Sequence, residues 1–247
     1  GHTLMAKATP DGYTLGLATT GGMVSGPALM GNRIAYDPLK DFVPVGMVAS
    51  YSYSLVSRKD LPQQNLKELI DFARANPGKL TYASGSAGTL VPGAMLTSMA
   101  GIDMLHVPYK SIPLGINDVI AGQVDMMFTD MATGTPQVKG GKLRALGVSS
   151  LTPVPALPDV PPIAQSIKGF ELLAWYAMYA PTGTPQPVIE RLNKAIVSAM
   201  AKPDFASKFT ALGLEPMTST TNQLAEFNLS ELEKWGRVIK KSGATPQ

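Results

Sequence analysis

Apolar and polar positions along the chain change period several times, and each change marks an element. "YTLGLAT" (Tyr13 to Thr19) is an apolar run entered through the turn signal "TPDG"; it reads as a buried strand running into the glycine-rich loop "TTGGMVSG". "VPVGMVA" and "YSLVSR" read as extended. In "LPQQNLKELIDFARANPGK" the period becomes helical: Leu66, Leu69, Ile70 and Ala73 share a face, Asn65 and Glu68 have capping-box spacing, and Asn76-Pro77-Gly78 ends the helix. The strand-like "LTYAS" then passes through a Ser/Gly/Thr loop into a helix predicted from about Val91 to Met99, with Pro92 in its first turn and Gly101 as terminator.

"DMLHVPYKS", "QVDMMFTDMA" and "KLRALGVSS" read as further strand-and-loop units, and the proline-rich "LTPVPALPDVPP" as a stiff surface excursion. An extended apolar run, "LLAWYAMYAP", precedes a helix in which Val188, Leu192, Ala195 and Ala199 repeat at helical spacing, with Thr184 as its cap and Pro185 in its first turn. A last helix is predicted from about Asn222 to Lys241, its basic end and Gly243 suiting a C-terminus. Alternating strands and helices predict α/β layers around a mainly parallel sheet.

Composition narrows the function classes. The 247 residues suffice for one large domain or two modest ones, and 45% hydrophobic with 16% charged residues is ordinary for a globular chain. A net charge of +3, with no basic run longer than Lys240-Lys241, gives no expectation of a nucleic-acid partner. Cysteine is absent, which removes thiolate chemistry and disulfides, and two histidines without an acidic cluster at ligand spacing give no expectation of a metal or cofactor. The chain opens at Gly1 without a signal peptide, as though inside a fold.

In parallel α/β sheets ligands sit where strand ends lead into helix N-termini. Three loops have that character, Thr19 to Gly26, Ser84 to Thr89 and Thr129 to Thr135, each with small residues or hydroxyls and no cluster of titrating groups. Together they suit an anion held by N–H groups, hydroxyls and a positive helix end. Glycine and serine are equally routine in turns and caps, so each loop also has a purely structural reading. No loop has P-loop spacing. The five residues centred on Ser86, "SGSAG", approximate a nucleophile elbow, so an esterase-like hydrolase using Ser86 and His106, with Asp103, Asp125 or Asp130 as orienter, is the enzymatic alternative. Tyr109, Trp175 and Tyr176 can wall a pocket or fill a core. Asp130 can select a ligand ammonium or hydroxyl, or cap the next helix.

In order and spacing, "AKATPDGYTL", "YDPLKDFVPVGMVA", "LIDFARANPGKLTYASGSAGT", "MAGIDMLHVPYK", "DVIAGQVDMMF", "GKLRALGVSS", "LPDVPPIAQS", "APTGTPQPVIERLNKAI" and "EKWGRVIKKSG" resemble the substrate-binding proteins of tripartite tricarboxylate transporters, the Bug family. The resemblance covers nearly the whole chain. It implies a type II periplasmic binding protein fold: two α/β lobes joined by crossing strands, residues 1–52 plus 182–247 forming one and 59–174 the other, with crossings at 53–58 and 175–181. It implies a periplasmic, non-enzymatic receptor whose partners are a small carboxylate and the membrane permease subunits of the transporter. Carried over as ligand-binding are Thr19, Thr20, Gly21 and Gly22 from one lobe and Ser84, Gly85, Ser86, Gly88 and Thr89 from the other, with Tyr109 and Asp130 beside the cleft. The chain departs from the family at Ser111, Pro162 and Gln165, where Gly, Thr and Glu are usual. The family carries a strand, a ligand loop and a helix ahead of "DGYTL" that are expected to be missing here, leaving the first lobe's sheet edge open; a monomer is expected, with dimerisation through that edge as the alternative. No Arg or Lys stands in the three loops, which leans toward monocarboxylates or water-bridged ligands.

Overall fold

The structure is a computed structural model, and it describes residues 1–244. After a short helix, α1 (His2–Ala6), strand β1 (Gly16–Thr19) runs into a wide π-type turn over Gly21–Ser25 and helix α2 (Gly26–Met30). The two extended runs that follow are one strand of 17 residues, β2 (Phe42–Arg58). Next come α3 (Leu66–Ala75), β3 (Thr81–Ser84), α4 (Ala87–Ala100), β4 (Leu105–Pro108), α5 (Ile112–Ile120), β5 (Met126–Asp130), α6 (Met131–Lys139) and β6 (Leu143–Val148). The described chain ends with β7 (Leu173–Pro181), α7 (Gln186–Met200), α8 (Pro203–Ala211), the short β8 (Glu215–Pro216) and α9 (Thr221–Ser242).

Strand β2 changes partners halfway. Phe42 to Ser52 pair with β7, which also carries β1, and β8 adds to Ala49 and Ser50. Tyr53 to Arg58 pair instead with β5 and β6. Register shifts between Pro44 and Gly46 and between Met47 and Ala49 mark bulges, which increase local twist and help one strand serve two sheets. Residues 53–58 thus lie within the second sheet and 175–181 within the first. The junction is pinned by the fully buried Ser149. Its hydroxyl accepts the Tyr53 N–H at 2.8 Å and donates to the Leu172 carbonyl, while its backbone bonds the same two residues.

Among the described strands, only β4, β3 and β5 are mutually parallel, where α4 and α5 supply the crossovers that parallel pairing requires. The pairings of β2 with β5, β6, β7 and β8, and of β1 with β7, are antiparallel. The mainly parallel sheet read from the alternation is therefore corrected to a mixed one. The predicted buried strand at the start is a partly exposed strand with Leu17 turned outward.

Local chemistry explains the helix ends. Asn65 accepts the Glu68 N–H at 2.9 Å and starts α3, and Glu68 reaches back to the Gln64 N–H. Helix α4 begins four residues before Val91, because Ser86 and Thr89 form a capping box; Pro92 therefore sits inside the helix rather than in its first turn. Thr184 does not cap α7, since its hydroxyl donates to the Pro181 carbonyl. Gly101 and Gly243 close α4 and α9 in the left-handed conformation that glycine adopts without steric cost. The proline-rich stretch turns Val154, Ala156 and Leu157 inward, so it covers core as well as surface. In the interior, the Glu231 carboxylate of α9 accepts both the Trp175 and Trp235 indole N–H groups at 3.1 Å, tying α9 to β7.

Candidate functional site

A cavity of about 320 Å³ lies where β1, β3 and β5 end. Its size does not single it out: another of about 350 Å³ is lined by Ser50, Ser52, Glu171 and Glu215. Chemistry distinguishes the two, since the first meets a helix N-terminus and the second presents two carboxylates; a larger cavity of about 570 Å³ is lined by Lys67, Asp71, Arg74 and Lys168 away from the strand ends.

The β3–α4 junction supplies that helix end. Gly85 and Ser86 separate the strand from the helix. The Ser86 hydroxyl accepts the Thr89 N–H at 3.3 Å, and the Thr89 hydroxyl accepts the N–H groups of Gly85 and Ser86 at 3.0 and 3.2 Å. Ala87 and Gly88, whose N–H groups precede any acceptor within the helix, line the cavity. There is no acidic residue in the first turn of this 14-residue helix, so its positive end is uncompensated from within.

From the first sheet, Thr19, Gly21 and Gly22 form the facing wall. Thr19 Oγ1 accepts the Gly22 N–H at 3.2 Å and shapes the turn, and the Tyr36 hydroxyl holds the Gly22 carbonyl. The walls are close: a methyl group on Gly21 would lie 3.9 Å from the Gly88 nitrogen. Glycine-rich sequence is what allows this approach.

The β5–α6 junction adds Asp130, which is 9% exposed. Its carboxylate caps α6, accepting the Thr133 N–H at 2.8 Å and the Thr133 hydroxyl at 2.9 Å. Tyr51, Tyr53, Tyr176 and Ile112 complete the lining. Tyr51 stacks on Tyr176 with ring centroids 4.9 Å apart and meets Tyr53 edge-on at 5.6 Å. Burial, with the Asp130 charge nearby, raises all three phenols above their ordinary value, so they stay protonated.

Of the residues expected at the site, Thr19, Gly21, Gly22, Ser86, Gly88, Thr89 and Asp130 therefore converge on one cavity. Four others have different surroundings. The buried Thr20 accepts the Trp175 N–H through its hydroxyl at 2.8 Å. Ser84 Oγ shares a 2.8 Å hydrogen bond with His106 Nε2. Gly85 lies against the backbone of Ser111 and Ile112. The Tyr109 hydroxyl donates to Asp118 at 2.6 Å, and burial together with that carboxylate pushes its phenol up to about 12.

The Ser86–His106 pairing of the hydrolase alternative is corrected by the same geometry. His106 bonds Ser84 instead, burial lowers its pKa, and Ser86 serves the helix cap. Sequence reading missed Tyr51 and Tyr53 at the site, because both belong to an extended apolar run with nothing to separate a pocket floor from a core. Their alternation, one residue apart on β2 with Ser52 between, is the one signal that places them on a shared face.

The chain is 38% identical over 243 residues to a UPF0065 protein in the tcbD-tcbE intergenic region of Pseudomonas sp. (strain P51), an alignment covering 97% of this chain and 72% of that one. It is similar to the structure of R. palustris Rpa4515 with adipate, with a TM-score of 0.95 and 27% identity, over 100% of this chain and 83% of the other. It is also similar to the periplasmic binding protein BugD, with a TM-score of 0.91 and 34% identity, over 100% of this chain and 84% of that one. The sequence matches, over residues 1–244, the family described as the tripartite tricarboxylate transporter family receptor, TctC. A two-sheet α/β fold with a cavity at its strand ends, and a match along nearly its whole length, make this chain a member of the TctC receptor family, whose proteins bind solutes and are not enzymes.

Proposed function

We propose that the chain is a periplasmic receptor that captures a small carboxylate and presents it to the membrane permease subunits of a tripartite tricarboxylate transporter. The carrying observation is the α4 N-terminus, where Ala87 and Gly88 line a cavity whose walls come from both sheets. The sheets supply the two lobes: β1, β7, β8 and the first part of β2 in one, β3 to β6 and the rest of β2 in the other. The partner change at Ser52 and Tyr53, and the connection from Ser149 to Leu172, are the crossings about which the lobes close. An adipate complex of a similar structure supports a carboxylate as the class of ligand. Among the described residues no helix is long and apolar enough to cross a membrane, so contact with permease subunits is assigned to the surface of the lobes.

Thermal unfolding against mono-, di- and tricarboxylates, aromatic acids and acidic amino acids tests this. A ligand at 100 times its dissociation constant stabilises by ~2.7 kcal/mol. Gly88→Val is the control: a side chain there begins 2.9 Å from the hydroxyl of the buried Tyr53, so that ring must give a little, and it fills the space beside the helix end. The parent is expected to shift with at least one carboxylate, and Gly88→Val to show no shift from its own ligand-free unfolding temperature. Equal shifts in both proteins, or none in the parent across the panel, would overturn the reading.

A further inference from the structure

The lining of the cavity carries one formal charge at neutral pH, and it is negative. Among its twelve lining residues there is no Lys, Arg or His, and Asp130 is the only carboxylate. The other polar side chains of the lining are neutral: the phenols of Tyr51, Tyr53 and Tyr176 and the hydroxyls of Thr19, Ser86 and Thr89. Thr133 bonds both carboxylate oxygens without neutralising them, and each oxygen retains acceptor capacity.

Position adds to charge. Strands β3 and β5 are parallel neighbours, with Ala83 opposite Met127, so the junctions they lead into stand side by side. Neighbouring strands are about 4.8 Å apart. That adjacency brings Asp130 and the α4 N-terminus, through Ala87 and Gly88, to the same cavity, where one small ligand meets both.

We infer that the ligand of this site is a carboxylic acid bearing a hydrogen-bond donor, an ammonium or hydroxyl group, close to the captured carboxylate, and that Asp130 selects it while the three tyrosine hydroxyls complete its surroundings. This rests on the receptor reading above and sharpens it to a class. A second carboxylate brought beside Asp130 meets a like charge in a buried place, whereas a donor forms a charge-assisted hydrogen bond.

Matched ligands test the inference by titration calorimetry. Succinate, malate and aspartate share a skeleton and carry H, OH and NH₃⁺ at one carbon; adipate and 2-aminoadipate extend the comparison to longer chains. Within a series, the donor-bearing member is expected to bind at least tenfold tighter than the plain diacid. Asp130→Asn keeps a good helix cap and removes the charge. It is expected to narrow that ratio to less than threefold, by weakening the donor-bearing ligands and not the plain ones. Should the plain diacids bind as tightly as their substituted partners, or the preference persist in Asp130→Asn, the inference falls while the receptor reading stands. If no acid of either series or of the wider panel binds the parent, both fall together. The ranking in the parent protein decides the matter even if the variant does not fold.

Discussion

Two strand-to-helix junctions stand side by side at the cavity, built alike and charged differently. At each, a side-chain oxygen at the helix start accepts the N–H three residues on: Ser86 from Thr89, and Asp130 from Thr133. Ser86 is neutral, so the field of α4 stays available to an outside anion. Asp130 is an acidic residue whose side chain already caps α6, so the end of that helix is answered from within, and the junction offers an acceptor rather than a donor. One backbone device thus serves two opposite recognition tasks, according to a single side chain.

The junctions also differ in length, and the largest expected effect follows from that. Strand β5 runs directly into α6, whereas Gly85 and Ser86 intervene between β3 and α4. A methyl group on Gly85 would come within 2.3 Å of the backbone of Ser111 and Ile112, which cannot move aside as a side-chain tip would. Gly85→Ala is therefore expected to cost about 3 kcal/mol of stability, at the upper end for overpacking. Denaturant unfolding checks this, and a loss below 0.5 kcal/mol would mean that the two junctions have the same tolerance.

Ser86→Asp sharpens the comparison by giving the first junction the charge of the second. Aspartate caps as well as serine and gains about 0.3–1 kcal/mol from the helix dipole, so stability is expected to hold or rise slightly. Carboxylate affinity is expected to fall by tenfold or more, about 1.4 kcal/mol. Unfolding and calorimetry on one sample read both changes, and unchanged affinity would show that the end of α4 is not where the anion binds. The smaller converse change, removing charge at Asp130, alters preference among carboxylates more than affinity for them as a class.

How much of this was legible depends on how each element meets its surroundings. Helix α3 was read almost residue for residue because one face is buried and the other wet, leaving Leu66, Leu69, Ile70 and Ala73 as a clean stripe. Helix α4 is buried on nearly every side from Gly88 to Leu96, so it has no apolar period to read, and Pro92 misplaced its start. The partner change in β2 left no mark in the residue pattern, since a strand looks the same whichever sheet it joins, and a crossing there was expected from the family resemblance alone. Ser149, which pins that change, is indistinguishable in sequence from the exposed-loop serines nearby. At the site, glycines and hydroxyls in the loops were visible as candidates, and the structure gathers six of them, together with Asp130, at one cavity. Thr20, Ser84, Gly85 and Tyr109 stood out by the same chemistry, but their contacts lie in packing that only the fold creates.

The central claim is that a carboxylate is held at the uncompensated end of α4, and a crystal structure with the tightest-binding acid of the panel tests it most directly. The account predicts carboxylate oxygens about 3 Å from the Ala87 and Gly88 nitrogens, in hydrogen-bond range, with the rest of the ligand reaching toward Asp130. A ligand bound elsewhere, or with its carboxylate turned away from α4, would contradict it.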